Sequence, residues 1–329
     1  MIDAVKKEFP DLRIPVVDGG LQLVYEPDPN RPNAWMVNDH CLIQDEDGLI
    51  HYFGIENPFP TTTQALEWLE ESLRPSERPF IQTMHQLMHG YLYRPGTHFR
   101  VGHAVARDIW GPWSRLPAAF DGEESGHAYG SPFVVRDSAQ YRAFGPGMGG
   151  DYVSSDLHSW VPSSDKTVWV EKGRLGFENY RDPCIIQLAD GTYLQYFAAA
   201  DPHGRHTVAV ASSPDLRIWH REEPCYVEEL PPGTPDWFGI FESPFVLRRE
   251  DLYYLFVGFS HRHYNETFVV VSRNPRSFTP RHKVTTLFTH AAELIDVDGE
   301  TYMSSCGIED PQWLNRSGLW MCKIKWLTP

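Results

Sequence analysis

The chain is organised around a phrase that it repeats. Glu178-Asn179-Tyr180-Arg181-Asp182-Pro183-Cys184-Ile185-Ile186-Gln187 runs through Asp190-Gly191 into Tyr193-Leu194-Gln195-Tyr196-Phe197. Two charged residues, an apolar run, a turn pair and a second alternating run read as a β-hairpin with charge at its entry. Asp39-His40-Cys41-Leu42-Ile43-Gln44-Asp45-Glu46-Asp47-Gly48 is a near-copy, agreeing with Asp182 to Gly191 at Asp, Cys, Ile, Gln, Asp and Gly. Three looser copies start Gly130-Ser131-Pro132-Phe133, Glu242-Ser243-Pro244-Phe245 and His290-Ala291-Ala292-Glu293. Counted from Asp39, Gly130, Asp182, Glu242 and His290, the spacings are 91, 52, 60 and 48 residues. Five β-hairpin units at such a period predict an all-β fold, a five-bladed β-propeller.

A second phrase recurs near the end of the units. Val153-Ser154-Ser155-Asp156-Leu157-His158-Ser159-Trp160 and Ala211-Ser212-Ser213-Pro214-Asp215-Leu216-Arg217-Ile218-Trp219 are the same pattern, and the stretches from Val105 to Trp113 and from Val271 to Phe278 are looser versions. Each reads as an outer strand, a polar turn and an aromatic that packs between blades. The first unit is oversized. Thr61-Thr62-Thr63-Gln64 has the form of a helix cap, and Ala65, Leu66, Trp68, Leu69 and Leu73 follow at helical spacing until Pro75. The spacing therefore predicts a helical insertion in blade 1, about residues 58–98. The fifth unit shows three strands, and a run near residues 21–26 is the candidate for its fourth, closing the ring. Residues 1–329 are then expected to form one propeller domain, because each blade needs neighbours to bury both faces.

Composition narrows the class of partner. Hydrophobic residues make up 41% of the 329 and the net charge is -15, so the chain has material for a core and repels polyanions. Nucleic acid and membranes are not expected partners. No run reaches the roughly 18 apolar residues of a membrane span, and the first residues lack the apolar core of a signal peptide. The expected location is cytoplasmic, or secreted or periplasmic where a signal peptide has been removed. The five cysteines form no CxxC pair and read as small buried hydrophobes.

In a propeller the innermost strands line the axis, so their first residues form a ring. Here that ring reads Asp39, Gly130, Asp182, Glu242 and His290. Three carboxyls around one opening repel one another and raise the proton affinity of at least one. Such a mixture of ionised and protonated acids is what cleavage of a glycosidic bond requires. The plainer reading, in which the acids only cap turns, explains a single Asp but not three acids at equivalent places. Arg181 adjoins the ring and can reach a sugar hydroxyl or Asp182. Trp35 and Trp237 lie just before Asp39 and Glu242 and are candidates for stacking on a sugar face. Asn38, His127 and His290 complete the expected binding set, and Gly130 leaves space beside it.

With these residues in place, the chain from about Leu21 to Trp326 resembles the five-bladed β-propeller glycoside hydrolases of family 43 (arabinanases, xylosidases, arabinofuranosidases) and family 32 (invertases and other fructosidases). Both carry an Asp on blade 1, an Asp on blade 3 and a Glu on blade 4, matching Asp39, Asp182 and Glu242. Trp35-Met36-Val37-Asn38-Asp39-His40 resembles a family 32 motif with Val37 inserted and His40 in place of Pro, and Arg181-Asp182-Pro183 is identical to that family's second motif. Glu242-Ser243-Pro244-Phe245 lacks the Cys that follows the family 32 Glu and is similar to family 43. The resemblance implies a glycosidase acting on an oligosaccharide or small glycoside, a furanoside or pentoside such as an arabinosyl, xylosyl or fructosyl unit, in carbohydrate metabolism or polysaccharide degradation. Family 43 implies inversion, with Asp39 as base, Glu242 as acid and Asp182 orienting Glu242; family 32 implies retention, with Asp39 as nucleophile. No cofactor is required on either reading. Through His290, which matches a family 43 histidine that contacts metal by way of water, the resemblance leaves room for a structural calcium ion on the axis. A carbohydrate-binding propeller without catalysis, and a glycosyl-transferring relative, are the alternatives; oligomeric state stays open.

Overall fold

The computed structural model describes residues 2–31, 34–72, 87, 91–92, 100–120, 130–146, 152–170, 178–200, 206–227, 241–259, 263–306 and 317–329. It is a five-bladed β-propeller. After helix α1 (Ile2–Glu8), strand β1 (Ile14–Tyr25) leads into blade 1, which is built from β2 (Trp35–Gln44), β3 (Ile50–Pro58), β4 (Val101–Ala106) and β5 (Ser114–Phe120). Blade 2 holds β6 (Phe133–Asp137), β7 (Gln140–Phe144), β8 (Tyr152–Ser154) and β9 (Val161–Pro162). The third blade has six strands: β10 (Val168–Trp169), β11 (Glu178–Gln187), β12 (Tyr193–Ala200), β13 (His206–Ser213), β14 (Ile218–Arg221) and β15 (Tyr226–Val227). Blade 4 comprises β16 (Phe241–Arg249), β17 (Leu252–Phe259), β18 (His263–Ser272) and β19 (Lys283–Leu287). Blade 5 takes β20 (Leu294–Val297), β21 (Glu300–Ser305) and β22 (Leu319–Leu327) from the C-terminal part of the chain, and β1 from the N-terminal part.

Apolar strands in the middle of each blade bury both faces, and the core lies between blades. The burial of β12 shows it: Leu194 and Tyr196 pack towards blade 4, whereas Phe197 and Ala199 join Phe144 of blade 2. The repeated aromatic works as a wedge between neighbours. Trp160 of blade 2 meets Phe53 and Phe120 of blade 1, Trp219 of blade 3 meets Phe144 of blade 2, and Phe278 of blade 4 packs with Tyr196 of blade 3. The polar turn before each wedge is fixed by one recurring bond, in which a serine hydroxyl accepts the backbone N–H two residues on: Ser154 from Asp156, Ser213 from Asp215 and Ser272 from Asn274.

Helix α2 (Thr62–Ser72) stands between β3 and β4, with a reciprocal cap: Gln64 N–H donates to Thr61 Oγ1 at 3.3 Å and Thr61 N–H to Gln64 Oε1 at 2.9 Å. Most of the expected insertion after it lies outside the described residues.

Strand β1 runs antiparallel to β22 from Ile14↔Leu327 to Tyr25↔Leu319, so the two ends of the chain share one sheet. A buried charge locks this seam to blade 1. Glu56 on β3, only 1% exposed, accepts the Tyr25 hydroxyl at 2.7 Å and the Arg115 guanidinium at 3.0 Å, while Arg115 lies over Trp35. Glu56 fits because residue 102 is glycine: a Cβ there would stand 2.0 Å from the Glu56 carboxyl carbon. Desolvation pushes the Glu56 proton affinity up, against the pull of Tyr25 and Arg115.

Glu56→Ala leaves the Tyr25 hydroxyl without its acceptor and the Arg115 side chain, itself 36% exposed, without its carboxylate. It is therefore expected to lower stability by about 1–3 kcal/mol in urea unfolding. A loss under about 1 kcal/mol would show that the seam does not depend on it.

Candidate active site

The first strands of the blades share a backbone irregularity. Asp39, Ser131, Asp182, Ser243 and Ala291 have φ of 22°, 42°, 53°, 47° and 48°, the left-handed region that residues other than glycine seldom adopt. On β2, β11 and β16 the pairing register slips at this point, beside Asn38, Arg181 and Glu242 respectively. These are β-bulges, which bend a strand and re-aim its side chains. Pro132, Pro183 and Pro244 follow three of the left-handed residues. A proline has no N–H to contribute, so it is tolerated where the ladder is already interrupted.

This register corrects the ring read from the sequence. Asp39 and Asp182 belong to a layer completed by Ser131, Ser243 and Ala291, whereas Gly130, Glu242 and His290 stand one residue earlier, level with Asn38 and Arg181. The hairpins align on Ser131-Pro132, Asp182-Pro183 and Ser243-Pro244, and that proline spacing was the signal available in the sequence. The acids are therefore offset along the axis, with Asp39 and Asp182 in one layer and Glu242 in the layer before it.

All five blades line a small pocket of about 20 Å3, through Asp39, His40, Ser131, Pro132, Asp182, Pro183, Ser243, Pro244, Ala291 and Glu293. A larger cavity of about 280 Å3, between the turns of blades 1 and 2 around Asp45, Asp47 and Asp156, lies at the other end of β2 and holds none of the ring residues. In the axial pocket acids from three blades meet: Asp39, Asp182 and Glu293.

Hydrogen bonds between blades hold those acids in place. Asp182 accepts the Ser131 hydroxyl from blade 2, the Ser243 N–H from blade 4 at 3.0 Å, and the Arg181 Nε at 3.3 Å. Three donors leave it the acceptor that the surroundings orient most firmly. Asp39 accepts the Ser243 hydroxyl at 3.3 Å and the Asn38 amide at 3.2 Å. Ser243 thus clamps both aspartates, next in sequence to Glu242. Arg181 donates to the Phe241 carbonyl at 3.0 Å and to Glu242 Oε1 at 3.4 Å, so one guanidinium joins Asp182 to Glu242.

Desolvation in the pocket raises the Asp39 proton affinity well above the carboxylate range, and the charges of Asp182 and Glu242 raise it further; Arg181 and the Ser243 hydroxyl work against the shift. His40 is neutral, its pKa lowered to about 3 by burial and by His290. It bridges blades 1 and 5 through Ser304 Oγ at 2.7 Å and Cys306 Sγ at 3.2 Å.

The other expected residues divide. Asn38 is buried and supports Asp39. His290 is buried at 2% exposure, its backbone tied to Ser305 and Cys306. Trp35 gives one face to Arg115 and does not line the pocket. His127 and Trp237 lie outside the described residues. Sequence reading passed over Ser131, Ser243, His40 and Glu293. Among the described residues no three His, Cys, Asp or Glu side chains are arranged to hold an ion, and burial keeps the thiols of Cys41, Cys184 and Cys306 protonated. No step of the reaction proposed for this site is routed through a metal.

Removing a donor to a carboxylate disfavours its charged form. Ser243→Ala is therefore expected to move the Asp39 titration to higher pH, read by carbon-13 NMR of labelled aspartate. An unchanged titration would mean that the Ser243 hydroxyl does not hold Asp39.

No protein-family profile and no curated protein matches the chain. Solved structures do. Sucrose-6-phosphate hydrolase from Lactobacillus gasseri aligns over 100% of this chain and 63% of its own, with a TM-score of 0.60 and 15% identity. The Bombyx mori GH32 β-fructofuranosidase aligns over 91% of this chain and 63% of its own, with a TM-score of 0.57 and 15% identity. This chain thus spans less than two thirds of those two proteins. A GH43 β-xylosidase/α-arabinofuranosidase from a compost microbial metagenome, solved with xylotriose, aligns over 96% of both chains, with a TM-score of 0.55 and 14% identity. At such identities the likeness is one of fold: the chain shares the five-bladed propeller of these GH32 and GH43 structures.

Proposed function

We propose that the protein is a glycoside hydrolase that cleaves a terminal or small furanoside or pentoside by acid–base catalysis between Asp39 and Glu242. One observation carries the reading: three acids from blades 1, 3 and 4 meet at the axis, joined by a single cation, Arg181, and a single clamp, Ser243. A purely structural centre gains nothing from concentrating desolvated carboxyls. A site that must stabilise positive charge on a sugar ring and move two protons uses them all.

Glu242, its side chain 21% exposed, donates its proton to the departing glycosidic oxygen. Asp39, whose raised proton affinity makes it the stronger base once ionised, takes a proton from the water that attacks the anomeric carbon. Water supplies oxygen to the sugar, the leaving alcohol keeps the Glu242 proton, and exchange with solvent restores both acids. Asp182, saturated by Ser131, Ser243 and Arg181, remains the fixed negative charge beneath the developing oxocarbenium ion and orients Arg181 against Glu242. This is inversion. Retention, with Asp39 attacking the anomeric carbon itself, is the second reading, favoured by Arg181-Asp182-Pro183 and by the fold likeness to the GH32 structures.

Proton NMR of the first sugar released from a panel of arabinosides, xylosides and fructosides tests substrate and stereochemistry together. Inversion of the anomeric configuration is expected, with Asp39→Asn and Glu242→Gln each slowing cleavage by roughly 10²–10⁴-fold. Retained configuration would give Asp39 the nucleophile's role. Cleavage unaffected by either substitution would overturn the assignment.

A further inference from the structure

A fourth carboxyl lies on the axial pocket, and the reaction above does not use it. Glu293 stands two residues beyond the left-handed Ala291 and lines the pocket with Asp39, Asp182 and Ser243. Its backbone is fixed: Glu293 N–H donates to Ser304 Oγ at 3.2 Å, and its carbonyl accepts the Ser304 N–H at 2.8 Å. From blade 1, the Leu42 N–H favours the charged form of its carboxyl. In the other blades the same place, two residues past the bulge, holds Cys41, Phe133, Cys184 and Phe245. A carboxyl among thiols and phenyl rings is the exception that packing alone does not call for.

The groups facing Glu293 offer little to an anion. Asp39 and Cys41 approach from β2, Cys184 from β11, and Cys306 from just past β21. His40 on the same pocket wall is neutral. Arg181 is engaged by Asp182, Glu242 and the Phe241 carbonyl. One amide N–H supports the charged form, while desolvation and the Asp39 charge oppose it.

We propose that Glu293 acts through Asp39, its neighbour on the pocket wall: neutral while the site works, it shuts the site on the alkaline side by setting a further negative charge against Asp39. What is shut rests on the glycoside hydrolase reading; the link between the two carboxyls does not. Burial and Asp39 push the Glu293 proton affinity well above the carboxylate range. A carboxyl raised in this way contributes its stabilisation below its unfolded value and loses it as pH rises through the folded one.

Urea unfolding of wild type, Glu293→Gln, Asp39→Asn and the double variant at about pH 5 and about pH 8 forms a double-mutant cycle that needs no substrate. The coupling is expected to be near nil at the lower pH. At the higher pH it should reach about tenfold in the folding equilibrium constant, the shift of one pKa unit, with either single substitution relieving the repulsion. Equal coupling at both pH values, or none at the higher, overturns the proposal. Should the Gln variant not fold, carbon-13 titration of labelled glutamate in the wild type decides instead: a carboxyl titrating in the ordinary range at position 293 overturns it, and one titrating well above supports it. Once a cleaved glycoside is known, Glu293→Gln is expected to carry the alkaline limb of the pH profile to higher pH, and an unmoved limb also overturns the proposal. A wild type that cleaves no glycoside sinks the hydrolase reading, and the folding cycle still decides the Glu293 coupling.

Discussion

Everything at the centre of this molecule depends on one left-handed residue at the head of each innermost strand. A non-glycine residue held there costs on the order of 1–3 kcal/mol, and the chain uses it five times, at Asp39, Ser131, Asp182, Ser243 and Ala291. The bend separates two layers of side chains one residue apart. Asp39 and Asp182 fall in one, with Ser131 and Ser243 between them as donors; Glu242 and Arg181 fall in the other. A regular strand would send consecutive residues to opposite faces, whereas here Glu242 and Ser243, or Arg181 and Asp182, serve the same centre.

Close approach of acids sets the electrostatics. The described centre brings Asp39, Asp182 and Glu242 to one guanidinium, Arg181, with Glu293 on the pocket wall that Asp39 and Asp182 share and prolines and protonated thiols as neighbours. Such surroundings screen little, so the acids separate into roles by the donors that each receives. Asp182 receives three donors, whereas Asp39 receives two and has a raised proton affinity. The seam between β1 and β22, tied to blade 1 through Tyr25, Glu56 and Arg115, keeps the five strand heads facing one point. Strain at the centre is thus held by packing and charge at the rim.

Much of the fold was legible because the hairpin phrase carries its own period: an apolar run, a turn pair and a second apolar run leave few architectures besides a ring of blades. The acids were legible for the same reason, since Asp39 and Asp182 occupy matched places in near-identical phrases. The layer was not. Aligned on its charge, Glu242 falls level with Asp39 and Asp182; aligned on the proline after each bend, Ser243 does. Glu293 breaks the repeat, since its counterparts are Cys and Phe. Trp35 was read as a sugar platform because it precedes Asp39, but only three dimensions show Arg115 already lying over it. The seam rests on Glu56, a lone acid in an apolar strand whose partners come from residues 25 and 115.

On the glycoside hydrolase reading, these acids are arranged for positive charge on a sugar ring. Calorimetric titration with a cationic five-membered iminosugar, a mimic of that charge, tests it most directly. Saturable binding at one site per chain is expected, weakened by about 1–3 kcal/mol when Asp182 is changed to Asn, in keeping with the loss of a charged hydrogen-bonding partner. Binding that ignores Asp182→Asn, or no binding to a folded wild-type protein, would contradict it.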